Sequence, residues 1–106
     1  MPTKFQVRIA ESAEKDIEEI WTYIAIDNPA QASKFILQLE TQVTTIEKFP
    51  QRCSLIPENE LLVTQYRHLL YGNYRTIFRI SGKTVVVLRI IHGARLLDSS
   101  MFEAQA

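Results

Sequence analysis

Residues 65–97, QYRHLLYGNYRTIFRISGKTVVVLRIIHGARLL, decide the fold of this chain. The stretch contains three runs that are rich in β-branched and aromatic residues, and two short turn signals, Gly72-Asn73 and Ser81-Gly82, separate them. We predict a strand for each run, over residues 66–71, 74–80 and 83–92. Strands joined by such short turns pair antiparallel with their neighbours, so the stretch predicts a three-stranded sheet.

The residues before this stretch predict one strand and two helices. Alternation of apolar and polar residues over 5–9 is typical of a half-buried strand. Apolar residues recur at spacings of three and four between residues 13 and 24, and Ser12 is the expected N-cap of this first helix. Asn28 and Pro29 then end that helix and begin a second one, which runs to Pro50. The order β-α-α-β-β-β predicts an α+β fold in which a helical hairpin packs on one face of a small, mostly antiparallel, twisted sheet.

Length and composition predict a single domain over residues 1–106, with the tail 99–106 disordered. Residues 50–60 contain two prolines and no period, so we expect a loop there. The one cysteine, Cys53, cannot form an internal disulfide, and we interpret it as a packing residue rather than a nucleophile. The sequence has no signal-peptide pattern and no long apolar run, which favours a cytoplasmic protein away from membranes. It has no metal-ligand or cofactor motif, so we expect neither group.

The charges are unevenly distributed along a chain whose formal net charge is zero. Residues 1–60 contain six Lys/Arg and ten Asp/Glu, whereas residues 61–106 contain six Lys/Arg and two Asp/Glu. This distribution predicts a two-faced molecule whose basic side meets phosphates or an acidic protein. The basic excess is too small to favour strong non-specific binding to nucleic acid.

Alternation along the three C-terminal strands predicts a surface rich in arginine. The side opposite the helices is expected to hold Arg67, Arg75, Arg79 and Arg89, and Arg95 follows the last strand. Arginines in such an array are suited to bidentate contacts with phosphates or carboxylates. The alternative is that they solubilise an exposed sheet and pair with glutamates from elsewhere in the chain. His92, at a strand end, is either a general base or a packed residue.

Five motifs, in this order and spacing, resemble the RelE/ParE superfamily of bacterial toxins, on its ParE-like side, over residues 5–98. The motifs are Ser12-Ala13-Glu14-x-Asp16-Ile17-x-x-Ile20-Trp21-x-Tyr23-Ile24, Asn28-Pro29-Ala30-x-Ala32, Phe49-Pro50, Gly72-x-Tyr74-Arg75-x-x-Phe78-Arg79 and His92-Gly93-Ala94-Arg95. The fold of that superfamily, a helical hairpin on a twisted sheet, has the element order predicted above.

The resemblance implies the toxin of a type II, plasmid-stabilisation-type toxin–antitoxin system. A ParE-like member would bind and inhibit DNA gyrase, and a cognate antitoxin would neutralise it. The resemblance also implies a bacterial, cytoplasmic protein, and a homodimer or a heterotetramer with the antitoxin is the expected assembly. The five arginines, Arg67, Arg75, Arg79, Arg89 and Arg95, are then the candidate contacts with the target or the antitoxin.

Two alternatives remain open at this point. A RelE-like member would be a ribosome-dependent mRNA endoribonuclease, and its candidate catalytic residues here are Arg67, Arg75, His92 and Arg95. Leu69 stands where RelE has a second lysine, and the catalytic tyrosine of RelE falls near Met101, so the resemblance favours a protein that is not an enzyme. The other alternative is an inactive relative that only binds its antitoxin.

Overall fold

A five-stranded sheet and two long helices build the fold, and the computed structural model describes residues 4–95, 97, 100 and 101. The elements in chain order are β1 (Gln6–Ile9), α1 (Glu11–Ala25), α2 (Pro29–Thr44), β2 (Ser54–Leu55), the one-turn helix α3 (Asn59–Leu62), β3 (Arg67–Tyr71), β4 (Tyr74–Ser81) and β5 (Thr84–His92). Two 3-10 turns, Thr45–Glu47 and Pro50–Arg52, follow α2. The predicted α+β class, helical hairpin and three C-terminal strands are confirmed. The short elements β2 and α3 lie where the sequence predicted only a loop.

The sheet has the strand order β1-β5-β4-β3-β2. Strand β1 runs parallel to β5, and every other pair is antiparallel. Gly72 and Gly82, at the turns before β4 and β5, have φ values of +57° and +60°. Glycine adopts this left-handed conformation without the Cβ clash that other residues meet, so these two positions permit the tight turns.

The hairpin of α1 and α2 forms much as the sequence predicts. The side chain of Asn28 accepts a hydrogen bond of 3.1 Å from the amide of Gln31, and Pro29 occupies the first turn of α2. Trp21 Nε1 donates a bond of 3.2 Å to Ser33 Oγ across the hairpin. The prediction for Ser12 was wrong: α1 begins two residues earlier, with Ala10 at the N-cap and no side-chain cap.

Side chains cover the sheet on both faces. The main core lies between the sheet and the α1–α2 hairpin, and it includes Ile20, Leu39, Phe78 and Val87. We call the opposite side the helix-free face. A second cluster, built from Ile56, Ile77, Ile91 and Leu97, covers part of it, and Tyr66 and Met101 pack against that cluster. The segment before β3 and the described residues after β5 therefore cover part of the face that the sequence predicted to be open.

Asn59 holds the loop that contributes to this second cluster. Its side chain accepts hydrogen bonds from Thr64 Oγ1 at 2.8 Å and from the Tyr66 amide at 2.9 Å, and it donates to the Tyr66 carbonyl at 2.9 Å. The neighbouring Val63 has φ +55° although it is β-branched and 90% exposed. A side chain in that region costs about 1 kcal/mol, which the Asn59 bonds offset. The loop is thereby fixed, and Glu58 at its start has a defined position.

Little of the predicted C-terminal tail lies within the described residues. The predicted disorder of residues 99–106 lies outside the described residues except at Ser100 and Met101. Among the helices within the described ranges, none is long and apolar enough to cross a bilayer.

Candidate functional site

The strand register separates the arginines that the sequence placed on one surface. Tyr71 pairs with Tyr74 across the two-residue turn, and Arg67 pairs with Phe78. Directly opposed residues share a face of the sheet, so Arg67 lies on the same face as the main core. The prediction that Arg67 shares a face with Arg75 was wrong, because the turn sets the phase of β3 relative to β4 and slips it by one residue. Leu69 consequently packs against the main core as well.

A β-bulge changes which side chains of β5 share a face, because strict alternation would place Val85 and Val87 with Arg89 and Ile91. Ile77 pairs with Arg89 but the next residue, Phe78, pairs with Val87, so Leu88 has no direct partner in β4. An extra residue of this kind inverts the alternation of a strand at one point. Val85 and Val87 thus pack into the main core, whereas Arg89 and Ile91 lie on the helix-free face.

Arg67 stabilises the chain between α2 and β2. Its Nη1 donates to the carbonyl of Cys53 at 2.6 Å and to that of Gln51 at 3.2 Å. Burial raises the pKa of the nearby Cys53 thiol, while the positive charge of Arg67 acts in the opposite direction. A thiol with a raised pKa stays protonated at neutral pH, which agrees with the interpretation of Cys53 as a packing residue.

Arg75 is buried in an ion pair that the sequence did not indicate. Only 4% of the residue is exposed, and its guanidinium makes two hydrogen bonds with the carboxylate of Glu58, of which the one between Nη1 and Oε1 is 3.1 Å. Nη2 also donates to the Arg95 carbonyl at 2.8 Å. The hydrogen bonds from Arg75 lower the pKa of Glu58. Arg75 therefore ties β4 both to the loop before α3 and to the chain after β5.

His68 lies beside this pair on the helix-free face. Its Nδ1 is 3.5 Å from Arg75 Nη1. Burial lowers the pKa of His68, and the charge of Arg75 lowers it further. The lowered pKa favours the neutral form of His68, and in that form an unprotonated ring nitrogen can face the guanidinium of Arg75.

Arg89 forms the second buried pair, with Asp16 of α1. Arg89 Nε and Nη2 donate to the two carboxylate oxygens at 2.8 and 2.9 Å, and Nη1 donates to the Met101 carbonyl at 3.1 Å. The hydrogen bonds to Asp16 raise the pKa of Arg89. Asp16 Oδ2 also accepts the amide of Ile90 at 2.9 Å. The sequence held a signal for this role, since Asp16 lies in helical phase with the buried Ala13 and Ile20.

The remaining candidates, Arg79, Arg95 and His92, are more accessible. Arg79 is half-buried on the helix-free face and forms no ion pair within the described ranges. Arg95 and His92 are exposed and line one cleft of about 180 Å³. The amide of Ala94 donates to His92 Nδ1 at 3.2 Å, and the His92 ring stands edge-on to Tyr74, with 5.8 Å between centroids.

The candidate residues thus fall into four groups. Arg67 stabilises a turn on the helix-covered face, Arg75 and Arg89 are in ion pairs, His92 shares a cleft with Arg95, and Arg79 lies on the helix-free face with no ion pair among the described residues. Among residues 4–95, 97, 100 and 101, no three His, Cys, Asp or Glu side chains lie close enough together to hold a metal ion.

A strand edge that is partly unpaired among the described strands lies along β3, toward the end of the sheet farthest from β1. Strand β2 pairs with Arg67 and His68 only, so no described strand pairs with the outer edge of β3 beyond His68. A groove of about 410 Å³ opens beside it, with Phe49, Arg52 and Leu70 in its lining. Leu70 is 64% exposed, and the Arg52 guanidinium lies 4.5 Å from the centroid of the Phe49 ring.

Asp16→Ala should destabilise the fold strongly, because it leaves the mostly buried Arg89 guanidinium and the Ile90 amide without their partner. We expect the free energy of unfolding to fall by about 3 kcal/mol, measured by urea denaturation. Glu11→Ala, which removes the exposed partner of Lys15 at 3.8 Å, is the control and should cost less than about 0.5 kcal/mol. Equal losses in the two variants would show that Asp16 is not a structural anchor.

Comparison with known proteins identifies the family. The family model described as "ParE toxin of type II toxin-antitoxin system, parDE" matches residues 7–97. No curated protein matches the chain.

Two solved structures share the fold. The chromosomal ParDE toxin–antitoxin system from P. aeruginosa has a chain that superposes with a TM-score of 0.66 at 21% identity, covering 85% of this chain and 97% of that one. The RelBE2 toxin–antitoxin complex from Mycobacterium tuberculosis gives 0.58 at 21% identity, covering 84% and 98%. Because the family model spans most of the sequence, this chain belongs to the ParE toxins of type II toxin–antitoxin systems.

Proposed function

We propose that this toxin acts in the cytoplasm by binding and inhibiting DNA gyrase, without cleaving RNA, and that a cognate antitoxin neutralises it. Membership of the ParE family supports the toxin class. The gyrase target rests on the ParE-like character of the sequence motifs. The antitoxin is supported by the two similar structures, which are both toxin–antitoxin systems by title.

The state of Arg75 is the observation that carries the non-enzymatic part of the proposal. Under a ribonuclease mechanism this arginine would bind the phosphate, yet its guanidinium is buried and bonded to Glu58 and to the Arg95 carbonyl. A phosphate would have to displace a buried carboxylate, which would leave Glu58 without its partner. A pre-organised catalytic group requires no such rearrangement.

Two neighbouring positions support the same conclusion. Arg67 lies on the helix-covered face and donates to backbone carbonyls, so it is directed away from Arg75. Leu69, at the position of the second lysine of RelE, packs against the main core. At neither of these two positions does β3 place a cation beside Arg75, as the ribonuclease alternative would require.

One observation favours the ribonuclease alternative. His92 and Arg95 line the same cleft, and Tyr74 lies beside them. A histidine, an arginine and a tyrosine are chemically sufficient for proton transfer and phosphate stabilisation. The alternative therefore predicts a site built on these three residues instead of on Arg75.

For the antitoxin, we propose the groove beside the outer edge of β3. The edge beyond His68 has unpaired backbone groups, to which an extended segment can add as a strand. Exposed Leu70 and Phe49 offer apolar contact, and Arg52 offers a positive charge for an acidic segment. The helical hairpin is the competing surface, because Ile26 is also well exposed there.

Purified toxin should inhibit supercoiling by gyrase at micromolar concentration, and cells that express it should stop growing with intact transcripts. Addition of the antitoxin should restore both supercoiling and growth. A DNA supercoiling assay and electrophoresis of total RNA measure the two effects separately.

Each other outcome assigns a different function. Cleaved transcripts with normal supercoiling, lost in His92→Ala, would replace the proposal by a ribonuclease. Normal growth during expression without the antitoxin would identify an inactive relative. Both results contradict gyrase inhibition.

Leu70→Asp should weaken antitoxin binding by about tenfold or more, because it places a carboxylate at the proposed strand-addition edge. Isothermal titration calorimetry with the isolated antitoxin measures the change. Ile26→Asp, at the end of the hairpin, is the matched control and should bind as the wild type does. If Ile26→Asp loses affinity and Leu70→Asp keeps it, the antitoxin binds the hairpin instead.

A further inference from the structure

A basic row crosses the part of the helix-free face that the second cluster leaves uncovered. Arg8 of β1 pairs with Val86 of β5, and Val86 pairs with Arg79 of β4, so these three residues stand side by side on one face. Their adjacent partners confirm which face it is, because Val7, Val85 and Ile80 all belong to the main core on the opposite side. We call Arg8, Val86 and Arg79 the basic row.

No acidic side chain in the described part of the molecule neutralises this row. Arg8 and Arg79 take part in no ion pair there, and Lys83, at the turn next to the row, does not either. Arg75 and Arg89, farther along the same face, are both neutralised by buried carboxylates. Within the described ranges, Arg8 and Arg79 are thus arginines of this face whose charge no carboxylate compensates.

The neighbouring row supplies neutral hydrogen-bonding groups. Gln6 pairs with Thr84, and Thr84 pairs with Ser81, so an amide and two hydroxyls stand beside the arginines on the same face. Side chains of these types, together with arginine and lysine, make most protein contacts to the phosphates of DNA. The row and its neighbour therefore form a polar, basic surface across three strands.

We propose that the basic row binds the phosphate backbone of duplex DNA. The two arginines flank Val86 on either side, with about 10 Å between their strands, so each can contact a different phosphate through its planar guanidinium.

Two features favour DNA over an acidic peptide. The two rows offer one apolar side chain, Val86, whereas a peptide needs apolar anchors for affinity. None of the six residues in the two rows is aromatic, so the rows give an unpaired base nothing to stack on, which favours a duplex over a single strand. Helix α1, in the layer on the other side of the sheet, carries the exposed acids Glu11, Glu14, Glu18 and Glu19. Their negative charge disfavours the opposite orientation, in which the helices would face the DNA.

The contact is expected to be weak and dependent on salt. With Arg8, Arg79 and Lys83 engaged, about three phosphates are neutralised, which predicts a slope of about −2.7 for log affinity against log salt. Such a contact gains strength when another interaction already holds the protein near DNA. The inference goes beyond gyrase inhibition, and it is tested without gyrase.

The test is fluorescence anisotropy of a short labelled DNA duplex of arbitrary sequence, titrated with the whole toxin between about 50 and 200 mM salt. The variant is Arg8→Gln/Arg79→Gln. The matched control is Lys34→Gln/Lys48→Gln, which removes the same charge from two exposed positions outside the sheet. Thermal unfolding confirms that both variants are folded.

We expect the arginine variant to weaken DNA binding by about tenfold or more at low salt and to reduce the slope by about 1.8, while the control keeps both values. Equal losses in the two variants, or no binding of DNA by the wild type, would overturn the proposal. A polyglutamate peptide is the second probe. If it binds the wild type more tightly than the duplex does and loses affinity with Arg8→Gln/Arg79→Gln, the row is a peptide site and the DNA proposal fails.

Discussion

The carboxylate of Asp16 is the interaction on which the arrangement of this molecule depends. Strand β1 stops at Ile9, so the second half of β5 has no strand on that side. Helix α1 takes the place of the missing strand: Ser12 Oγ donates to the Leu88 carbonyl at 3.0 Å, and Asp16, one turn later, accepts the amide of Ile90. The same carboxylate binds Arg89, which in turn holds the Met101 carbonyl. Asp16, through Arg89, thereby joins the first helix, strand β5 and the chain at Met101.

Arg75 and Glu58 form a second ion pair of this kind, farther along the helix-free face. There the guanidinium holds the Arg95 carbonyl, and the carboxylate comes from the loop that Asn59 fixes. Buried arginine pairs of this kind contribute position more than net stability, since each charge offsets the desolvation of the other. The two pairs hold the C-terminal segment over the second cluster and make Arg75 and Arg89 unavailable to a ligand. The basic row, the cleft at His92 and the groove beside β3 stay accessible.

Local chemistry was sufficient to predict the elements but not their relation to one another. The turns at Gly72 and Gly82, the Asn28 cap and the apolar period of α1 are each encoded within a few residues, and all of them were predicted. The face of Arg67 depends on pairing across a turn, and the separation of Val87 from Arg89 depends on a bulge at Leu88, which no alternation pattern reveals. The pair between Arg75 and Glu58 joins residues 17 apart through a loop whose fold was not predicted. The pair between Asp16 and Arg89 was not predicted either, although an acid on the buried stripe of a helix is a sign of a partner.

We infer that Arg75 positions the chain and does not act on a substrate, and a double variant distinguishes these two roles. Glu58→Met/Arg75→Met replaces the buried pair by apolar side chains of similar length, a change that commonly leaves stability unaltered. The measurement is growth of cells that express the variant, with thermal unfolding of the purified protein as the check on folding. We expect the double variant to fold and to arrest growth as the wild type does. A folded double variant that no longer arrests growth, beside a wild type that does, would contradict it.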